Sequence, residues 1–176
     1  RLGFGGLHQM MLDMQESVIK PHPYQSVWTD WVIDRRAIWY LYEQVDGAQR
    51  GVLLIGNPLS MLAGLPAVVW CIWAGIRQRR MDALSVAAIY ALSLGFWIVA
   101  AKPVQFYYHY FVPSMALLAA LALALDELRA RGWAWLSWGV LGGSLAVFAW
   151  FYPILSAAAL PDERGFEKWM WVDSWR

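Results

Sequence analysis

Charged positions leave four long apolar runs in the chain. Residues 58–76, 84–101, 106–125 and 133–155 contain no Asp, Glu, Lys or Arg. Each can cross a hydrocarbon core of about 30 Å as a helix rising about 1.5 Å per residue. Asn57-Pro58 opens the first run, because asparagine caps free amides and proline is tolerated at the first helical position. Gly64 and Pro66 are its candidate kink points, and Pro113 lies inside the third run. Ahead of the spans, Phe4, Leu7, Met11, Met14 and Val18 recur at steps of three and four, with Gln9, Asp13 and Glu16 off that stripe. This predicts an amphipathic helix too polar to span, lying on the membrane surface or against the protein and ended by Pro21 and Pro23. Residues 22–39 follow neither period, and Trp28 and Trp31 among them predict an ordered extramembrane loop at the interface. Residues 37–43 and 50–55, β-branched and aromatic, flank Asp46-Gly47, which predicts a small β-hairpin.

Composition agrees with the pattern. With 60% hydrophobic residues among 176 and a mean hydropathy of +0.40, the chain reads as an all-α integral membrane protein of about four transmembrane helices. It divides into an outer-face segment (1–57), a four-helix membrane domain (58–155) and an outer-face tail (156–176). Arg77, Arg79 and Arg80 crowd one short link, and Arg129 and Arg131 the other, so the positive-inside rule makes both links cytoplasmic. The amino-terminal segment, Lys102 and the tail then share the outer face, where Phe166, Trp169, Trp171 and Trp175 are expected to pin the tail at the interface. Gly142-Gly143, with Gly139 and Ser144 nearby, predicts close helix packing. A net charge of +1 without a basic stripe excludes a nucleic-acid surface, and the lone Cys71 allows no internal disulfide. The chain opens at Arg1 with no initiator methionine, and Asp13 and Glu16 fall where a signal peptide needs an apolar core. It is therefore expected to be the carboxy-terminal part of a longer protein.

The chemistry concentrates in residues 102–113, where Lys102, Gln105, His109 and three tyrosines, Tyr107, Tyr108 and Tyr110, stand at the mouth of the third span. Ionisable groups at membrane depth are costly and mark functional sites, although a lysine can also snorkel and tyrosines can form an interfacial belt. His22 either binds or simply hydrogen-bonds within its proline-rich turn. Arg36 either binds an anion or pairs with Asp34 or Glu43, and His109 either binds or bonds a backbone carbonyl. His8, His22 and His109 have no metal-site spacing, no glycine-rich phosphate loop is present, and no cofactor is expected. Ser26 and Ser114 lack the elbow of a hydrolase nucleophile.

Five motifs in order, His22-Pro23-Tyr24-Gln25-Ser26, the run of residues 36–43 beginning Arg36-Ala37-Ile38-Trp39, Gly56-Asn57-Pro58, Gln105-Phe106-Tyr107-Tyr108-His109-Tyr110 and Met170-Trp171-Val172-Asp173-Ser174-Trp175, resemble the carboxy-terminal membrane region of protein O-mannosyltransferases. These are polytopic glycosyltransferases of the GT-C class, and the likeness covers nearly the whole chain. Three positions depart from the family pattern. Ala37 stands where proline is usual, Lys102 where arginine is common, and Gln15 where a histidine is often found. Lysine keeps the charge but lacks the planar fork that grips phosphate bidentately. The resemblance implies inverting transfer of a sugar, typically mannose, from a polyprenyl- or dolichyl-phosphate carrier to Ser or Thr hydroxyls of an acceptor protein. The general base it implies is an aspartate near the amino terminus of the longer protein, so no catalytic residue is expected here. For this portion the resemblance fits donor contacts, which the predicted convergence of these residues on the outer face beside lipid suggests. Lys102, helped by Arg36 and His109, would meet the carrier phosphate; Tyr24, Tyr108 and Tyr110 would line the sugar or prenyl cavity, with Gln105 and His22 beside them. It also implies a multi-pass protein of the bacterial inner membrane with a periplasmic active face, or of the endoplasmic reticulum membrane. Two other readings stay open, a GT-C transferase acting on lipid A or a glycolipid, and a non-enzymatic membrane scaffold.

Overall fold

The computed structural model describes residues 3–17, 19–100 and 102–176, so Arg1, Val18 of the amphipathic stripe and Ala101 at the end of the second apolar run lie outside the described residues. Helix α1 (Phe4–Glu16) buries none of its residues, and Phe4 and Met14 stand fully in the open. Helix α2 (Trp28–Val32) departs from the expected continuous loop. Five residues are too few to leave a helical period in the sequence, yet they carry Trp31, which is completely buried.

The hairpin forms from β1 (Ile38–Val45) and β2 (Ala48–Leu54), paired antiparallel with Val45 opposite Ala48. Asp46 and Gly47 alone make the turn, at φ of 52° and 74°. Two successive positive φ values are what a primed turn demands, and Asp-Gly supplies them at low cost. The register slips between Trp39 and Leu41, which leaves Tyr40 as a bulge facing outward.

Four helices follow, α3 (Pro58–Arg77), α4 (Met81–Val99), α5 (Phe111–Ala130) and α6 (Ala134–Leu155), each long and apolar enough to cross a membrane. α3, α4 and α5 pack closely because small residues stand at their contacts. A Cβ on Gly64 would lie 2.5 Å from Leu117 Cγ, and one on Gly75 would lie 2.7 Å from Leu84 Cβ. Polar pins fasten α6 to the start of α3. Asn57 caps Ser60 N at 3.2 Å and donates to the Ser144 carbonyl at 2.8 Å, while the Ser60 and Ser144 hydroxyls meet at 2.8 Å. Without water in the bilayer, such groups must find partners in the protein. Of the glycines expected to pack α6, only Gly143 does so, against Leu59; Gly139 and Gly142 face open space.

At the arginine end, Glu127 accepts from Arg131 at 2.8 Å and from Arg80 at 3.0 Å, which joins the two short links. At the opposite end a second core forms where the tail closes over the hairpin and the end of α6. Trp169 and Trp175, expected at the lipid interface, are instead buried there with Leu53, Phe151 and Ile154. A two-stranded sheet cannot stand alone and needs a cover, and each indole N–H finds a carbonyl, Trp150 O for Trp169 and Asp34 O for Trp175. Only Trp171 among the tail tryptophans stays half exposed.

Candidate functional site

A 3-10 turn, Tyr107–Tyr110, leads into α5 and turns its four side chains in different directions. Tyr107 reaches the outer loop and donates to Asp34 Oδ1 at 2.8 Å. Tyr110 is buried, its hydroxyl 2.9 Å from that of Tyr90 on α4. The His109 ring stacks on Trp31 of α2 with centroids 5.9 Å apart and meets the edge of Trp97 of α4 at 4.0 Å. Lys102 Nζ lies 3.2 Å from His109 Nε2. An ammonium can only donate, so Nε2 is the acceptor; Nδ1 lies 2.9 Å from the Phe106 carbonyl and 3.0 Å from the Phe106 amide, and with Nε2 accepting, the Nδ1–H donates to the carbonyl. The histidine is thereby locked between a backbone carbonyl and the lysine.

Lys102 borders a polar cleft of about 510 Å³ together with Gln25, Ser26, Asp30, Trp97 and Gln105. Gln105 holds its floor, donating from its side chain to Trp97 O at 3.1 Å and accepting from Ser26 N at its carbonyl at 2.9 Å. Among the described residues Lys102 makes no ion pair, and Asp30 is turned to its own helix start, accepting from Val27 N at 3.3 Å. The charge on Lys102 is therefore available to an incoming anion.

On the other side of the turn, between the hairpin and α5, lies an apolar cleft of about 630 Å³ bordered by Tyr40, Leu54, Met61, Tyr108, Tyr110 and Phe111 and continuing along Met115 and Leu118. Lys102 and Gln105 thus border the first cleft, with His109 holding Lys102 from behind its lining, and Tyr107, Tyr108 and Tyr110 border the second. His22, Tyr24 and Arg36 brace the loop beside the polar cleft. Arg36 donates to the Pro23 and Gln25 carbonyls, both at 3.2 Å, and pairs with neither Asp34 nor Glu43. His22 Nδ1 accepts from Tyr24 N at 3.2 Å while its ring sits edge-on to Phe106 at 5.1 Å.

Asp34 was given no role of its own by the sequence. It is 2% exposed, adopts φ of 53°, and joins four parts of the molecule. Its Oδ1 accepts from Tyr107 and from Gly56 N at 3.3 Å, its amide donates to Trp31 O at 3.1 Å, and its carbonyl accepts from Trp175. Oδ2 has no partner among the described residues. Burial pushes the Asp34 carboxyl up to about 6, against the lowering effect of the bonds from Tyr107 and Gly56. Its only legible trait is that aspartate tolerates the left-handed region better than most residues.

Residues 3–175 match the family described as the C-terminal four-TMM region of protein-O-mannosyltransferase. No curated protein matches the chain. Among solved structures, the fold is similar to the S. cerevisiae protein O-mannosyltransferase Pmt1-Pmt2 complex bound to the sugar donor, with a TM-score of 0.74 at 20% identity. The alignment covers 98% of this chain and 26% of that one, so the chain spans about a quarter of that relative's length.

Proposed function

The chain belongs to the protein O-mannosyltransferase family as its C-terminal four-span region, and from that premise we propose that it forms the donor-holding part of an enzyme transferring mannose from a polyprenyl or dolichyl phosphate to protein Ser and Thr hydroxyls. The base that takes the acceptor proton belongs to another part of the enzyme. The active face is the one opposite the arginine-rich links, periplasmic in a bacterium or lumenal in the endoplasmic reticulum.

The observation that carries this reading is the Lys102 ammonium, without an ion pair among the described residues, 3.2 Å from His109 Nε2 at the edge of a polar cleft. When the sugar leaves its carrier, negative charge builds on the phosphate, and a fixed cation beside lipid stabilises it more than one in water does. His109 takes one N–H of Lys102 and aims the ammonium, which leaves two for phosphate oxygens. Gln105 and the Arg36-braced loop shape the cleft for the sugar, and the apolar cleft beyond Tyr108 takes the prenyl chain.

The test is mannosyl transfer to a Ser/Thr acceptor peptide by the full natural protein in lipid. Lys102→Ala is expected to lower kcat about 10²- to 10³-fold, the effect of removing one fixed donor to developing charge. Thermal unfolding should be little changed. Undiminished transfer by Lys102→Ala in folded protein would retire the assignment.

A further inference from the structure

At the arginine end, far from both clefts of the candidate site, α3, α5 and α6 diverge around a groove of about 360 Å³. Its wall is made almost wholly of carbon because Ala63, Ala67 and Ala124 stand where larger side chains would close it, with Leu136 and Val140 opposite. A slender apolar occupant such as an acyl chain suits it.

Its mouth is charged. Arg131 and Glu127 border it, and Arg80, bonded to Glu127, lies over the Trp70 ring at 5.3 Å on the same rim. Arg131 is held to Glu127 through Nε alone, so among the described residues its two terminal amino groups are free to donate. Five arginines, Arg77, Arg79, Arg80, Arg129 and Arg131, share this end with three carboxylates, Asp82, Asp126 and Glu127, and all three are already bonded to arginine. The residual charge is positive at the level of the lipid headgroups, where basic pockets between membrane helices attract anionic lipids.

We propose that this groove binds one anionic phospholipid of the leaflet at the arginine end, an acyl chain lying between α3, α5 and α6 and the phosphate on the terminal amino groups of Arg131. The lipid completes the contact of α6, which is otherwise the least buried of the four membrane helices. It occupies the leaflet away from the sugar donor, so it acts on the bundle and not on transfer chemistry.

The full natural protein would be reconstituted in nanodiscs containing equal parts phosphatidylglycerol and phosphatidylcholine, extracted, washed in detergent and its retained lipids measured by mass spectrometry. Phosphatidylglycerol should be retained about fivefold over phosphatidylcholine, the preference conferred by one arginine near the surface. Arg131→Gln should bring the two lipids level, and Ala124→Phe should abolish retention of both. Because the filled groove could disturb folding, a photoreactive benzoylphenylalanine in place of Leu136 supplies an independent readout. Irradiation should attach phosphatidylglycerol to it. Attachment to another protein segment, or a lipid preference that Arg131→Gln leaves unchanged, would overturn the proposal.

Discussion

The two clefts of the candidate site have no bordering residue in common, and their chemistry is opposite. The polar one has a free cation, two glutamines and backbone carbonyls already spoken for. The apolar one is larger and is walled mainly by tyrosine, leucine, methionine and phenylalanine. The 3-10 turn borders the apolar cleft through Tyr107, Tyr108 and Tyr110 and serves the polar one through His109, which holds Lys102 at its edge. The difference teaches how one short motif can serve a molecule with a charged head and a long apolar tail. The two ends demand opposite environments within a few residues of each other.

Substitutions that strike one side should leave the other legible. The largest effect belongs to the charge on the polar side, where Lys102→Ala should lower kcat about 10²- to 10³-fold while Lys102→Arg recovers part of it. Steady-state transfer with a labelled donor separates the two variants.

Next in size is the junction at Asp34. In the folded protein the Asp34 carboxyl titrates at about 6 instead of 3.8, so between those values the folded protein holds a proton that the unfolded chain has lost. The Asp34 contribution to stability should be fully present below about pH 4 and be lost, by about 3 kcal/mol, as pH rises through about 6. Asp34→Asn should flatten this slope, as read from thermal unfolding across that range in lipid or detergent. A slope that survives the substitution would assign it to another group.

Gly56 tests the same junction by size. A Cβ there would lie 2.5 Å from Tyr107 Oη and 2.8 Å from Met61 Cγ. Gly56→Ala should therefore cost about 1–3 kcal/mol of stability through overpacking, measurable by denaturant unfolding. The smallest effect lies on the apolar side. Met115→Trp should narrow that cleft and raise KM about tenfold, or 1.4 kcal/mol, for a long prenyl carrier while leaving kcat and a short-chain carrier nearly unaffected. An equal rise for both carriers would remove the prenyl chain from this cleft.

Much of this architecture was legible because local rules and global packing agree. The absence of charge over each apolar run announced four helices, Asn57-Pro58 announced where the first begins, and Asp46-Gly47 announced a two-residue turn. The site was legible only in part. Lys102, Gln105 and His109 stood out as polar groups at the end of an apolar run; Lys102 and Gln105 border one cleft, and His109 holds Lys102 there. The separation of Tyr108 from them was hidden, because a 3-10 turn has no signature in a four-residue string of aromatics. Trp169 and Trp175 misled for a related reason. Tryptophan suits a lipid interface and a buried core equally, and only the hairpin's need for a cover decides between them.

By itself the sequence determined the number of spans, the hairpin and the family, since each depends on residue type at fixed spacing along one chain. Tertiary structure alone decided the role of Asp34. Its burial, its left-handed backbone and its bonds to Tyr107, Gly56 and Trp175 arise from residues up to 141 positions away. The shift of a carboxyl depends on the solvent and partners around it in space, and no pattern of neighbours along the chain encodes them.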